Sequence, residues 1–157
     1  MIAKANKRLW ILRRLKYLGA KQTDLVDIYT KQIRCVLELA VPAWQGSVSQ
    51  AEKMNLERIQ KCACHIILGE SYESYRNALK LLYLENLDSR RNKLTLKFAL
   101  KSEKHDKFNS WFKPAVKKVN TRLNINKYCD VRANHTRFAR SSLSFLTRLL
   151  NTHYKTK

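Results

Sequence analysis

Glycine and proline are scarce in this sequence, whose 157 residues include only three glycines and two prolines. The tight turns of β-sandwiches and β-barrels depend on these residues, so a chain this poor in them is not expected to form either architecture. Long segments between the few turn formers instead carry apolar residues at helical spacing. We therefore predict an all-α fold, a helical bundle of five to six helices with a basic, partly disordered C-terminal extension.

Acidic residues are also scarce. Twelve Asp and Glu stand against 32 Lys and Arg, which gives a formal net charge of +20. Such a chain repels itself and binds polyanions, so an anionic partner is expected. Hydrophobic residues still make up 45% of the sequence, enough for a core, and this excludes a wholly disordered basic tail.

The sequence has four cysteines, too few and too scattered to indicate a disulfide framework. A reducing compartment, nuclear or cytoplasmic, is therefore expected rather than secretion. Cys62 and Cys64 stand two positions apart, and on a helix such side chains point about 200° away from each other. They cannot share one tetrahedral ion, so we predict no metal site and expect buried or half-buried free thiols.

Long apolar runs are missing, and no window approaches the ~18 residues of a membrane span, so no membrane partner is expected. Charged residues interrupt the first 20 positions, which excludes a secretory hydrophobic region there. The same segment is rich in arginine and free of acids. A mitochondrial presequence therefore stays open as an alternative.

Apolar residues recur every three to four positions in five segments, which predicts helices over residues 3–18, 23–39, 49–68, 72–82 and 87–104. Thr23 with Asp24 is typical of a helix start, and Ser49 with Glu52 predicts a capping box. The residues predicted to point inward are Ala5, Leu9, Ile11, Leu12, Leu15 and Leu18; Leu25, Ile28, Tyr29, Ile33, Val36 and Leu39; Leu56, Ile59, Ala63, Ile66 and Ile67; Tyr75, Leu79 and Leu82; and Leu87, Leu94 and Phe98.

Charge density divides the chain into two predicted regions. Residues 1–112 hold 21 basic and 11 acidic residues, whereas residues 113–157 hold 11 basic residues and one acid. We predict a helical bundle over 1–112, closed by the aromatic segment 108–112. Residues 113–157 are predicted to form a basic extension, weakly ordered over 113–142, with a short helix over 143–150.

Catalytic motifs are not found. The sequence has no phosphate-binding glycine loop and no nucleophile elbow. Asp24 and Asp27 are the nearest pair of aspartates, and capping of a helix start explains them. Two-metal polymerases and nucleases need carboxylates that converge from separate elements, and five scattered aspartates do not predict that. We expect no enzymatic activity and no cofactor.

Two helix faces carry cations, one of them with aromatic residues beside them. On the first predicted helix three cations lie beside two aromatic rings, and on the third Arg58, Lys61 and His65 fall within about 60° of each other. Cations that follow phosphates, with rings able to stack, are typical of nucleic-acid binding. The candidate nucleic-acid-binding residues are Lys7, Trp10, Arg13, Arg14, Tyr17, Arg58 and Lys61. For any single residue, a solvated helix face remains the alternative. Arg91 lies on an inward arc and is expected to be structural.

Several strings, in this order, carry a resemblance to a known family. They are KRLWILRRLK at 7–16, VDIY at 26–29, IRCVLELAVPAW at 33–44, LERIQKCA at 56–63, IILG at 66–69, LENL at 84–87 followed by Arg90 and Arg91, and LLN at 149–151. Together they resemble the region just after the catalytic palm in reverse transcriptases of non-LTR retrotransposons of the jockey-like kind.

The resemblance implies a helical thumb and basic C-terminal region that grip an RNA–DNA hybrid or duplex. The fingers, the palm and the paired catalytic aspartates of the family are absent from this chain, so the resemblance implies no polymerase activity here. By position, it assigns duplex contacts to Arg13, Arg14, Arg58 and Lys61. A subunit that works with a separate palm-containing chain and a degenerate copy are further interpretations. A helical scaffold for an acidic protein partner is the alternative function.

Overall fold

The structure is a computed structural model that describes residues 1–115, 126–130 and 135–156. Helices dominate these ranges and no strand occurs within them, which confirms the predicted all-α fold. The helices are α1 (Ile2–Tyr17), α2 (Gln22–Ile28, continued by a π-helical segment Tyr29–Arg34 and a last turn Cys35–Leu37), α3 (Val41–Trp44), α4 (Gln50–Leu68), α5 (Tyr75–Leu81), α6 (Leu87–Glu103), α7 (Thr136–Ala139) and α8 (Ser142–Lys155). Short 3₁₀ turns cover Gly69–Ser71 and Asn109–Trp111.

The chain separates into two compact units. Unit 1 comprises residues Met1–Leu39 and Ser49–Arg90, and unit 2 comprises Ala40–Val48 and Arg91–Lys157. The units divide after residues 39, 48 and 90. The predicted domain boundary after residue 112 stays a prediction. The expected weak order over 113–142 falls partly on residues 116–125 and 131–134, which lie outside the described residues.

The core of unit 1 forms where α1, α2 and α4 meet. Ala5, Leu9 and Leu12 are buried on α1, and the predicted face of α4 is buried except for Ile66, which is half-buried. The buried residues of α4 are Leu56, Ile59, Gln60, Ala63, Cys64, Ile67 and Leu68. The predicted capping box is confirmed: the Glu52 amide donates to the Ser49 hydroxyl, and the Ser49 amide donates to the Glu52 carboxylate.

A buried polar network crosses this apolar core. The Tyr29 hydroxyl donates to Gln60 Oε1 at 2.6 Å, and Gln60 Nε2 donates to the Tyr75 hydroxyl at 3.0 Å and to the Glu85 carbonyl at 2.7 Å. The Tyr75 hydroxyl in turn donates to Glu57. Burial raises the pKa of Tyr29 above its ordinary value. The network ties α2, α4 and α5 together because buried polar groups require partners.

The start and the end of α2 differ from the prediction. The helix begins at Gln22 after Lys21, with no side-chain cap, so the predicted Thr23–Asp24 cap is wrong. A π-helical segment adds a residue to the turn, which shifts the inward face, so that Leu37 is buried while Val36 is half-buried. Leu39, predicted to be inside, is 68% exposed because the helix ends at Leu37.

Three more residues predicted to be inside lie outside. Ile11 and Leu18 are exposed, because the buried stripe of α1 is narrower than the predicted face. Phe98 is 39% exposed. On α6 the buried face instead includes the small residues Thr95, Ala99 and Ser102, which lie about 60° to 120° around the helix from Leu87. The apolar pattern did not count Thr95 and Ser102 because they are polar.

Unit 2 has its own core, a cluster of Ala99, Phe112, Tyr128, Leu146 and Leu150. The helix predicted over 143–150 is present and longer, since α8 runs over Ser142–Lys155. Of the aromatic segment 108–112, Phe112 is buried and Trp111 is 42% exposed. Gly46 lies so close to α8 that an added Cβ would be 2.7 Å from Phe145 Cβ, so the close approach requires glycine.

Two polar clusters complete unit 2. Arg91 is fully buried, as its expected structural role requires, and its Nε donates to Gln45 Oε1 at 3.0 Å. Glu103 accepts hydrogen bonds from Lys127 Nζ at 2.7 Å and from the hydroxyls of Tyr128 and Tyr154. The second cluster connects α6, residues 127–128 and α8 within the unit.

Candidate nucleic-acid interface

The α1–α4 groove is a surface depression of unit 1 where α1 packs beside α4. One part, of about 380 Å³, is lined by Asn6 and Arg13 from α1 and by Asn55, Arg58 and Cys62 from α4, among others. A second part, of about 330 Å³, is lined by Arg13, Lys61, Cys62, His65, Ile66 and Tyr72. Arg13 and Cys62 line both parts. The structure therefore brings three of the predicted residues, Arg13, Arg58 and Lys61, to one surface.

Helix geometry explains this convergence. Arg58, Lys61 and His65 follow each other at spacings of three and four residues, so they lie on one side of α4. The opposite side of α4 is buried through Leu56, Ile59 and Ala63. Arg13 adjoins Leu12 in sequence but lies about 100° away around α1, at the edge of the buried stripe. Packing of the two apolar stripes thus places the cations at the border of the contact.

Three acidic residues of unit 1 form ion pairs with cations outside the candidate set. Asp27 pairs with Lys31 at 2.7 Å, Glu38 pairs with Arg34 at 3.7 Å and with Arg90, and Asp88 pairs with Lys53 at 3.4 Å. Across the described ranges, no such ion pair involves Lys7, Arg13, Arg14, Arg58 or Lys61. The groove cations therefore stand outside these ion pairs, and Glu57, next to Arg58 in the sequence, accepts hydrogen bonds from the Tyr75 hydroxyl and the Leu87 amide.

The remaining predicted residues lie around the exposed side of α1, outside the groove. Lys7 and Arg14 are exposed, and so are Trp10 at 64% and Tyr17 at 82%. The Arg14 guanidinium stands 5.8 Å from the centroid of the Tyr17 ring, a cation–π contact. The seven candidates therefore form two neighbouring groups on α1 and α4 rather than one site.

The sequence reasoning missed Tyr72, as it missed Asn6 and Asn55 of the groove. The ring of Tyr72 lies 5.0 Å from that of His65, and both line the second part of the groove. Gly69, with a positive φ of 60°, ends α4, and the short turn after it leads to Tyr72. A glycine stop followed closely by an aromatic residue was the available signal. Lys61 Nζ also stands 5.3 Å from the ring centroid of Tyr75.

The cysteines differ in their surroundings, and all four are free. Cys64 is buried and Cys62 half-buried, as expected, but Cys35 and Cys129 are exposed, because both lie away from the core faces of the units. Burial raises the pKa of the Cys64 thiol to about 12, so this thiol stays protonated. No group of three or more potential metal ligands occurs in the part of the chain that the structure describes.

No helix in the described ranges is long and apolar enough to cross a bilayer. Comparison of the chain with models of known protein families, with curated proteins and with solved structures gave no match. The resemblance to the reverse transcriptase thumb therefore stays a prediction, and the geometry of the groove is the basis for a functional proposal.

Proposed function

We propose that this chain binds nucleic acid through the α1–α4 groove, as the thumb and C-terminal region of a retroelement reverse transcriptase that is not catalytic alone. The observation that carries the proposal is the meeting of Arg13, Arg58 and Lys61 on one surface, with none of the three in an ion pair across the described residues. The ligand is an RNA–DNA hybrid or a duplex, with a palm-containing chain as the further partner.

The side chains of the groove suit a phosphate backbone. Arginine donates several hydrogen bonds in a planar fork, and lysine supplies a compact charge, so both bind phosphate oxygens. Asn6 and Asn55 also line the groove and can donate to phosphates or sugars. Contacts of this kind position a nucleic acid without reading its sequence, as a thumb requires.

The outer side of α1 extends this surface. Lys7 and Arg14 are seven residues apart, which places them about 10 Å from each other along the helix. Trp10 and Tyr17 have the same spacing, and their exposed rings can lean on sugars or stack on unpaired bases. A strand leaving the groove would meet this face of α1.

The proposal is tested by salt titration of binding to an RNA–DNA hybrid, with duplex DNA and heparin as competitors. Affinity should fall steeply between about 50 and 200 mM salt. The variant Arg13→Gln/Arg58→Gln/Lys61→Gln should make the negative slope of log affinity against log salt shallower by about three. Each lost phosphate contact removes about 0.9 from its magnitude.

The matched control removes the same charge from unit 2 through Lys97→Gln, Lys101→Gln and Lys104→Gln, all exposed in the wild type. It should change binding much less than the groove variant. Equal losses in the two variants would show that the total charge, not the groove, binds the nucleic acid. Equal binding of hybrid, duplex and heparin would remove the thumb interpretation.

A further inference from the structure

Unit 2 contains a second surface feature, which we name the apolar groove. It is a depression of about 490 Å³ lined by Pro42, Ala43, Phe98, Trp111 and Leu146, together with Ala40 and Ser142. The hydroxyl of Ser142 donates to the Ala43 carbonyl, so this polar group is already satisfied within the unit. The lining offers apolar surface and aromatic rings to whatever occupies it.

The aromatic residues of the apolar groove are not members of the core cluster of unit 2. Phe98 is 39% exposed and Trp111 is 42% exposed, whereas the core of unit 2 is formed by Ala99, Phe112 and their neighbours. Aromatic side chains that line a concave apolar surface are typical anchors of protein–protein interfaces. The feature therefore has the properties of a docking groove rather than of a packing defect.

The surroundings of the apolar groove are cationic. Unit 2 holds 17 basic and three acidic residues, a net charge of +14. Lys97 and Lys101 lie one and three positions from Phe98 on α6, and both are exposed. Of the three acids, Glu103 is bonded to Lys127 and two tyrosines, Asp130 accepts hydrogen bonds from Asn126 and Asn151, and Asp106 is exposed beyond the end of α6. An anionic partner is thus favoured at the rim.

Charge and shape distinguish three possible occupants of the apolar groove: a second copy of this chain, nucleic acid and a helix of a partner protein. A second copy of this chain would place one unit of charge +14 against another, which opposes association. Nucleic acid needs hydrogen-bond donors, and the lining residues present almost none. An amphipathic helix fits, because its apolar side chains at i, i+3, i+4 and i+7 enter such a groove while its other faces carry charge.

From these observations we infer that the apolar groove of unit 2 binds an acidic amphipathic helix of a partner protein. Apolar side chains of that helix contact Phe98 and Trp111, and its carboxylates face Lys97 and Lys101. The inference goes beyond the proposed nucleic-acid binding and does not depend on it, since it uses a different unit and different residues.

The test uses the full chain and a small set of fluorescent acidic peptides of about 14 residues, roughly four helical turns. Each peptide carries leucine, isoleucine or phenylalanine at i, i+3, i+4 and i+7, and a scrambled peptide of equal charge is the control. Fluorescence anisotropy should show binding of at least one patterned peptide. Phe98→Asp should weaken it about tenfold or more, as loss of an interface anchor does.

Phe138→Asp is the matched variant, since Phe138 is 50% exposed in unit 2 and does not line the groove. It should retain binding, and so should the triple variant in the α1–α4 groove. Lys97→Gln/Lys101→Gln should weaken the binding of the patterned peptide, and the remaining binding should depend less on salt.

Four results would overturn the inference. The first three are equal binding of the scrambled peptide, absence of any peptide binding up to about 1 mM, and an equal loss of binding in Phe138→Asp. The fourth is displacement of the peptide by the RNA–DNA hybrid to the same extent in the wild type and in the α1–α4 groove variant. Self-association that Phe98→Asp abolishes, measured by light scattering, would assign the groove to a second copy. Phe98-dependent binding to vesicles of anionic lipid would assign it to a membrane surface.

Discussion

The two units of this protein differ in how their charge relates to their surface. Unit 2 has a net charge of +14, while unit 1 holds 15 basic and nine acidic residues, a net charge of +6. Yet the convergent cations lie in unit 1, and the apolar groove lies in unit 2. Net charge alone therefore does not locate a binding surface. What matters is where the acids are held.

In unit 1 two half-buried acids are held in particular contacts. Glu38 pairs with Arg34 and Arg90, and Glu57 accepts from the Tyr75 hydroxyl and the Leu87 amide. Arg13, Arg58 and Lys61 of the α1–α4 groove stand outside these contacts, although the net charge of unit 1, +6, is less than half that of unit 2. In unit 2 the cations of α6 include Lys97, Lys101 and Lys104, which are exposed.

The largest effects are expected in the two cores. Leu12→Ala in unit 1 and Leu150→Ala in unit 2 each remove a fully buried side chain, and each should lower the free energy of unfolding by about 2–5 kcal/mol. Urea denaturation followed by circular dichroism measures the loss. Ile11→Ala, at a position 36% exposed, is the control and should change stability far less. A small effect of either core variant would contradict the assignment of the core in that unit.

The next largest effects on stability are expected in the hydrogen-bonded networks, and they should differ between the two units. Gln60→Leu removes the acceptor of the buried Tyr29 hydroxyl and should lower stability by about 1–3 kcal/mol. Tyr154→Phe in unit 2 removes a part-buried bond to Glu103, and its effect should be about 0.5–1.5 kcal/mol. Adding Tyr29→Phe to Gln60→Leu should recover part of the loss. Failure of that recovery would mean that Gln60 acts through packing alone.

The pH dependence should give the smallest difference. Burial alone raises the pKa of Glu103, but hydrogen bonds from Lys127, Tyr128 and Tyr154 hold it below its ordinary value of 4.5. Because the folded form binds the proton less tightly, this stabilisation is present above about pH 5 and is lost as the pH falls. We expect about 1 kcal/mol, since Lys127 is half exposed to solvent.

Glu103→Gln isolates this contribution from the other carboxylates. The difference in unfolding free energy between wild type and variant should shrink as the pH falls from 7 towards about 3, because the wild-type carboxyl becomes neutral as well. Thermal or urea unfolding over this range measures it. A difference that does not change with pH would show that the charge of Glu103 does not contribute to the cluster.

Local features of the fold were predictable from the sequence. The capping box at Ser49, the helix ends near Gly19 and Gly69, and most of the buried faces of α1 and α4 follow from short-range patterns, because periodicity and capping act within a few residues. The inward positions of Leu39 and Phe98 were predicted wrongly. The π-helical segment and the end of α2 moved the first, and small polar residues selected the buried face of α6 for the second.

The candidate sites were predictable only in part. Each cation of the α1–α4 groove could be assigned to a helix face, yet its neighbours on the other helix, and Tyr72, could not. The apolar groove was not predicted, since it combines Pro42, Phe98 and Leu146. The first and the last of these are separated by about two thirds of the chain. No short-range pattern reports such a combination.

By itself, the sequence determined the helical class, the strong positive charge and the position of most helices, because these depend on composition and on contacts within a few turns. Only the tertiary structure decided that Arg13 meets Arg58 and Lys61, and that residues Ala40–Val48 join unit 2. The physical reason is that the pairing of helices depends on which apolar stripes and small residues fit together across long chain separations.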